Sequence, residues 1–260
     1  MDVEKIVLIG AGNVATQIGL SLVKKGYKIE SVYSRTIDSA RQLARKIDSS
    51  FTDDLEQLPA KVHFCIFSVS DHALEEILRK FPHKNLLSVH TSGSMDLNVF
   101  EKTGFKRYGV FYPLQTFSKN IPSHFHSIPL LIEADSKSDL DILRKIAGDL
   151  SNDVREINSQ QREILHVAAV FACNFTNHML AVADILLREN KLDFGLLYPL
   201  IEETIKKVRY AKPIDLQTGP AVRDDKNVIE KHLNKLLPSP HFRKMYNFMT
   251  ESIQKLSNEK

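Results

Sequence analysis

Six residues near the start of the chain, Gly10-Ala11-Gly12-Asn13-Val14-Ala15, carry the sharpest chemical signal in the sequence. In a G-x-G-x-x-A pattern the first glycine permits a tight turn and the second lets the backbone approach a pyrophosphate with no Cβ in the way. A small third residue lets helix and strand pack closely. Alone the pattern is weak, since a turn that merely joins a strand to a helix would look the same. Its surroundings strengthen it: it directly follows the apolar run from Lys5 to Ile9 and opens a helical spacing through Val14, Ile18, Leu22 and Val23. The free N–H groups of that helix start, and the positive end of its dipole, suit a phosphate.

The end of the second strand, Ile29 to Tyr33, decides which dinucleotide fits. A carboxylate there would accept hydrogen bonds from the two ribose hydroxyls of NAD. The sequence instead reads Ser34-Arg35-Thr36. Two hydroxyls and a guanidinium suit a 2′-phosphate, which a carboxylate would repel, so the expected cofactor is NADP. The competing reading has Arg35 solvated at the surface and Ser34 merely leading into the next helix. Ser68-Val69-Ser70-Asp71 ends a further long strand and is expected to line the nicotinamide side of the crevice, with Asp71 reading equally well as a helix N-cap.

Candidates for the reacting end are scattered. His90-Thr91-Ser92-Gly93-Ser94 brings an imidazole, hydroxyls and a pliable backbone to one sheet edge. Tyr112-Pro113-Leu114-Gln115-Thr116-Phe117 adds a phenol and an amide. From these, His90, Ser92, Gly93, Tyr112 and Gln115 are expected to bind substrate, although hydroxyl-rich turns often serve only their own backbone. On the long apolar stretch from about 161 to 190, His166, Cys173, Asn177 and Asp184 fall within roughly 20° of one line at about 100° per residue; Asn174 lies about 80° away and His178 about 120°. Polar groups on such a helix serve as core hydrogen bonds or as a pocket wall, so His166 reads either as a structural histidine or as the proton donor, with Asn174 its companion, a histidine being suited by its near-neutral pKa. Arg223, in Thr218-Gly219-Pro220-Ala221-Val222-Arg223, could clamp a substrate carboxylate or pair with Asp224 or Asp225. His124 and His126 lack acidic or cysteine companions, and no metal site is expected.

These residues need a scaffold. Short apolar runs (5–9, 29–33, 62–69, 86–90, 108–111, 130–132) alternate with helical spacings, which implies a doubly wound, mostly parallel α/β sheet of the Rossmann kind. After about Ile157 the pattern is helical throughout, with helices near 160–190, 194–210, 225–237 and 241–257 and punctuation at Pro213, Gly219-Pro220 and Pro238-Ser-Pro240. Ser159 is the expected N-cap of the first, whose nearly all-round apolar surface predicts a buried bundle helix. Two domains follow, 1–155 for the dinucleotide and an all-α 156–260. With 43% apolar residues, 26% charged and a net charge of +3 without basic blocks, the chain reads as globular and soluble, with nothing that demands nucleic acid. Polar residues break every apolar run before membrane length, the start has no secretion signal, and Cys65 and Cys173 lie too far apart to suggest a disulfide framework, so a cytoplasmic setting is expected.

On the fingerprint, the 90–94 and 112–117 segments, the stretch His166-Val167-Ala168-Ala169-Val170-Phe171-Ala172-Cys173-Asn174-Phe175 and the run 218–223, the chain resembles the two-domain NADP oxidoreductases that join a Rossmann domain to a C-terminal helical domain of unknown function. Its first half is also similar to pyrroline-5-carboxylate, ketopantoate and deazaflavin-dependent NADP reductases, of the 6-phosphogluconate-dehydrogenase-like class. The resemblance implies hydride transfer to or from a small carbonyl, hydroxy-acid or imine substrate bound between the domains, a 6-phosphogluconate dehydrogenase C-terminal-like second domain, and a homodimer built through it. It also exposes departures. Many β-hydroxyacid dehydrogenases of the class carry Lys-x-x-x-Asn on the long helix, whereas here Asn174 is preceded by Val170. A related His-Pro is here Tyr112-Pro113. The missing lysine leaves open a nucleotide-sensing or scaffolding protein that has kept the dinucleotide site without catalysis.

Overall fold

The computed structural model describes residues 5–119, 121 and 123–259; the charged start, residues 1–4, lies outside them. The described residues form two compact units, 1–173 and 174–260.

The first unit follows the alternation of its apolar runs. Its strands are β1 (Lys5–Ile9), β2 (Lys28–Tyr33), β3 (Ser50–Thr52), β4 (Phe64–Phe67), β5 (Leu87–His90), β6 (Tyr108–Pro113), β7 (Leu130–Ala134) and β8 (Val154–Glu156). Between them run α1 (Asn13–Lys24), α2 (Ile37–Ile47), α3 (Asp71–Lys80), α4 (Val99–Lys102) and α5 (Lys137–Leu150). The sheet order is β3-β2-β1-β4-β5-β6-β7-β8, with every neighbouring pair parallel except β6 and β7. This is the mostly parallel Rossmann-like sheet that the sequence predicts, with two short edge strands that periodicity over three residues cannot reveal.

Side chains alternate between two cores. Ile6 and Leu8 join Ile18, Leu22, Leu43 and Leu143 on one face, while Val7 and Ile9 join Phe67, Leu74, Leu78 and Phe100 on the other. A strand whose successive residues all meet apolar layers must be apolar throughout, which is why β1 reads as a continuous run. Chain crossings leave β1 in opposite directions, to β2 on one side and β4 on the other, so the carboxyl ends of β1 and β4 open a crevice at the switch point.

The strands end at β8, and α6 (Ser159–Ala169) follows, then a wider i→i+5 turn over Val170–Phe175 and α7 (Thr176–Glu189). Three expectations are corrected here. The N-cap of α6 is Asn158, whose side chain accepts from the Gln161 amide while Gln161 reciprocates, and the Ser159 hydroxyl serves Glu133 instead. The wide turn shifts the phase of everything after Val170, so the line drawn from His166 through Cys173, Asn177 and Asp184 at constant pitch does not hold. The helix is also not enclosed: Ile164 is 71% and Phe171 64% exposed, so its apolar circumference does not mark burial within one chain. By length and composition Ser159–Glu189 is the one candidate membrane span among the described residues, where the broken apolar runs predict none, because polar residues that interrupt a run do not outweigh an average over eighteen positions. One such helix is weak evidence of a membrane.

The second unit is helical: after α7 come α8 (Tyr198–Lys207), α9 (Lys226–Lys235) and α10 (Pro240–Asn258), with no strand among its described residues. Pro213 opens a short 3-10 turn, and Pro240 sits in the first turn of α10, where its missing N–H costs nothing.

A dinucleotide cleft and a tyrosine–histidine pair

The turn after β1 is shaped by Gly10. Its φ of +119° and its approach to β4 exclude a side chain, since a Cβ there would lie 2.1 Å from the Ser68 carbonyl oxygen. Gly10 also donates its N–H to the Tyr33 carbonyl at 2.7 Å, knitting the ends of β1, β2 and β4 together. Gly12 differs: its φ is −77° and a Cβ would meet nothing within 4 Å, so its bare backbone faces open space. It is the N-cap of α1, which carries no side-chain cap and no acidic residue in its first turn. The helix start therefore presents its first amides and positive dipole end to the crevice.

That crevice is a cleft of about 490 Å³. Of the residues expected to bind cofactor, Gly12, Asn13, Val14, Ser34, Arg35, Ser68, Val69 and Ser70 line it. The Asn13 side chain looks away, donating to the Phe117 carbonyl at 2.9 Å; together with Gln17, which donates to the Ser118 carbonyl at 2.7 Å, it ties the segment after β6 to α1. Arg35 is exposed and makes no hydrogen bond or ion pair among the described residues. Ser34 accepts from the Thr36 amide at 3.3 Å, which leaves Thr36 as the N-cap of α2, outside the cleft lining. Gly10 lies beneath the lining. Asp71 lines it with the rest of its turn, and Tyr33 and Thr91 are on it without having been assigned to it from the sequence. Burial raises the Tyr33 phenol above its ordinary range, against the pull of Arg35 and Lys80.

The other end of the cleft is built from three segments distant in the chain: Ser92 and Gly93 after β5, Tyr112 and Gln115 at the end of β6, and His166 on α6. Tyr112 Oη and His166 Nδ1 are 3.1 Å apart. Burial raises the Tyr112 phenol; Arg162 opposes this, while Asp71 and Cys173 add to it. Asp71 is the first residue of α3, whose N-cap is Ser70, and its carboxylate accepts from the Ser94 hydroxyl.

His90 is corrected. It is the last residue of β5, wholly buried, stacked on Phe100 with its Nδ1 accepting from the Ser92 amide at 3.2 Å. Desolvation, with Arg162 adding to it, holds the imidazole neutral down to about 3. It shapes the turn that carries Ser92 and Gly93 and does not line the cleft. Asn174 and Arg223 belong to the second unit, where both are exposed.

What holds α6 leaves no local sign in the residues around it. Arg162, 1% exposed, donates to Glu133 of β7 at 2.5 Å and to the Met95 carbonyl at 2.5 Å; Ser159 donates to the same carboxylate at 2.8 Å and accepts from the Leu97 amide at 3.0 Å. This clasp lies one helical turn before His166, so it fixes where the imidazole stands. An arginine among charged neighbours at a helix start looks like a solvated residue, and only the 29-residue separation from Glu133 reveals its partner. Among the described residues no group of three or more His, Cys, Asp or Glu could hold a metal.

Open glycine backbone, uncapped amides and an uncommitted guanidinium on one cleft make a donor set that fits an adenine dinucleotide. Comparison with known proteins agrees. Residues 5–91 match the coenzyme F420-dependent NADP oxidoreductase family and residues 128–253 the domain of unknown function DUF2520. A solved structure described as a "putative NADP oxidoreductase" from Bacteroides fragilis is 45% identical over 97% of this chain and 98% of its own, with a TM-score of 0.92. The chain belongs to this two-domain NADP oxidoreductase family. More distant members of the fold include a Thermotoga maritima protein (21% identity, 98% of each chain, TM-score 0.69). An imine reductase from Myxococcus stipitatus in complex with NADP+ is 14% identical over 98% of this chain and 93% of its own, with a TM-score of 0.67. No curated protein matches the sequence. The family thus accounts for both the nucleotide-shaped cleft and the helical unit after it.

Proposed function

We propose that the protein is an NADP(H)-dependent oxidoreductase that moves a hydride to or from a small carbonyl, hydroxy-acid or imine substrate. The observation that carries this reading is the uncapped start of α1, open at Gly12, with the Arg35 guanidinium on the same cleft and in no hydrogen bond or ion pair among the described residues. NADPH bound there would supply the hydride. Gly12, Val14 and the amides of the first turn hold the pyrophosphate, Ser34 and Arg35 hold the 2′-phosphate, and Ser68, Val69 and Ser70 border the nicotinamide end. Ser92, Gly93, Tyr112 and Gln115 contact substrate, and His166 donates or relays the proton. Exposed apolar residues of the second unit, Leu196, Leu200 and Phe248 among them, support a homodimer through the C-terminal domain. The two free cysteines suit a reducing cytoplasm.

Calorimetry with NADPH and NADH side by side tests the cofactor. The native protein should bind NADPH the more tightly, and Arg35→Ala should weaken NADPH by roughly 10- to 100-fold while leaving NADH nearly unchanged. Equal losses for both would remove the phosphate assignment, and uptake of neither would remove the function. Tight NADPH binding without oxidation across a panel of keto acids, aldehydes and imines would favour a sensing role instead.

A further inference from the structure

The Tyr112–His166 contact depends on a missing side chain. A Cβ on Gly93 would lie 2.5 Å from His166 Nδ1, 2.7 Å from its Cγ and 3.0 Å from Tyr112 Cζ. Gly93 is therefore the gap into which both rings fit. The rings meet edge to face, with centroids 6.1 Å apart and planes at 76°. Both residues line the cleft, so the pair is a two-member chain of exchangeable protons with access to a bound molecule.

We propose that Tyr112 is the terminal proton donor of the reduction and that His166 reloads it through Nδ1, with Gly93 the residue whose bareness makes the pair possible. This rests on the oxidoreductase reading above and gives its proton a route. A phenol oxygen accepts one hydrogen bond while donating another, so Tyr112 can take Nδ1–H of an imidazolium and still point its own O–H at substrate. The buried phenol keeps its proton through the neutral range, as a donor must.

The balance is as follows. Hydride adds with its electron pair to the electrophilic carbon, and the π pair of the C=O or C=N moves to oxygen or nitrogen. That atom takes the Tyr112 proton. The phenolate takes the Nδ1 proton of cationic His166, leaving a neutral imidazole with its proton on Nε2, and solvent restores the cation. Charged or titratable groups around the pair are Arg162 on α6, itself held by Glu133, Asp71 on α3, and Cys173 in the turn after α6.

Nitrogen NMR of the full chain labelled at histidine tests the relay without needing a substrate. His166 is assigned by the signal lost in His166→Ala. Its neutral form should carry the proton on Nε2 with Nδ1 accepting, and Tyr112→Phe should move the Nδ1 signal. Gly93→Ala should do the same by crowding the rings apart. A neutral form protonated on Nδ1 overturns the relay, since loss of the Nδ1 proton from the cation must leave the neutral ring protonated on Nε2; so does a signal unmoved by Tyr112→Phe. With any substrate that is turned over, Tyr112→Phe should lower kcat by about 100-fold or more. Added imidazole should restore His166→Ala but not Tyr112→Phe, and equal rescue of both would overturn the order of the two groups. Failure of NADPH to bind would instead strike the underlying reading and leave the NMR result to stand by itself.

Discussion

The two ends of the cleft are made in different ways. At the β1 end, consecutive residues do the work with backbone: Gly10 turns, Gly12 opens, and α1 begins without a cap. At the β5–β6 end, side chains from three distant segments converge, and a buried clasp of Arg162, Glu133 and Ser159 sets the position of one of them. The first end needs little beyond its own local sequence. The second exists only when the tertiary structure is complete, so it should be the easier to disable by changes that touch no cleft residue.

The largest effect expected tests the first end. Gly10→Ala combines a φ of +119° with a 2.1 Å approach to backbone, so it should destabilise the first unit by more than about 4 kcal/mol and abolish a cooperative thermal transition. A well-folded variant with a native midpoint would show that the turn relaxes. Next, Arg162→Met leaves the Met95 carbonyl without its donor and the buried end of the Glu133 carboxylate without its countercharge, held only by the Ser159 amide and hydroxyl. Urea unfolding should show a loss of about 3–5 kcal/mol. Substrate turnover should fall even where the protein remains folded, while NADPH affinity holds; parallel loss of both would erase the distinction between the two ends.

Gly12→Ile is the complement of Gly10→Ala. With an ordinary φ and open space around it, the change should cost only about 1 kcal/mol or less of stability. It should nevertheless lower dinucleotide affinity at least about tenfold, because the new side chain stands where the pyrophosphate must approach. Unaltered affinity would mean that the phosphates lie elsewhere. The smallest effect concerns His90. The unfolded chain protonates this histidine below its ordinary 6.5, whereas the folded one resists to about 3. The unfolded state therefore binds more protons in that window, and stability falls as pH drops through it. Urea midpoints at pH 7, 5 and 4 should fall less steeply in His90→Asn than in the native chain, and identical slopes would contradict the buried neutral imidazole.

This contrast also explains what could be read from the residues alone. The fingerprint, the alternation of strands and helices, and the switch to all-helix after β8 are local patterns, and the structure follows them. Ser34 and Arg35 reach the cleft because they end a strand beside β1. His90 misled because a strand's last residue can point into the core or out of the sheet, and the sequence does not say which. The exposure of α6 could not be read because an apolar helix has the same composition whether its cover comes from its own chain or from elsewhere. Arg162 went unnoticed because ion-pair partners far apart in sequence leave no periodic trace.

One feature of the sheet bears on how copies of the chain can meet. Both of its outer strands, Ser50–Thr52 and Val154–Glu156, are three residues long, and the second carries Arg155 and Glu156. Borders so brief and so charged give a foreign strand too few rungs to extend the ladder. Strand-by-strand growth into ribbons is therefore disfavoured at either flank.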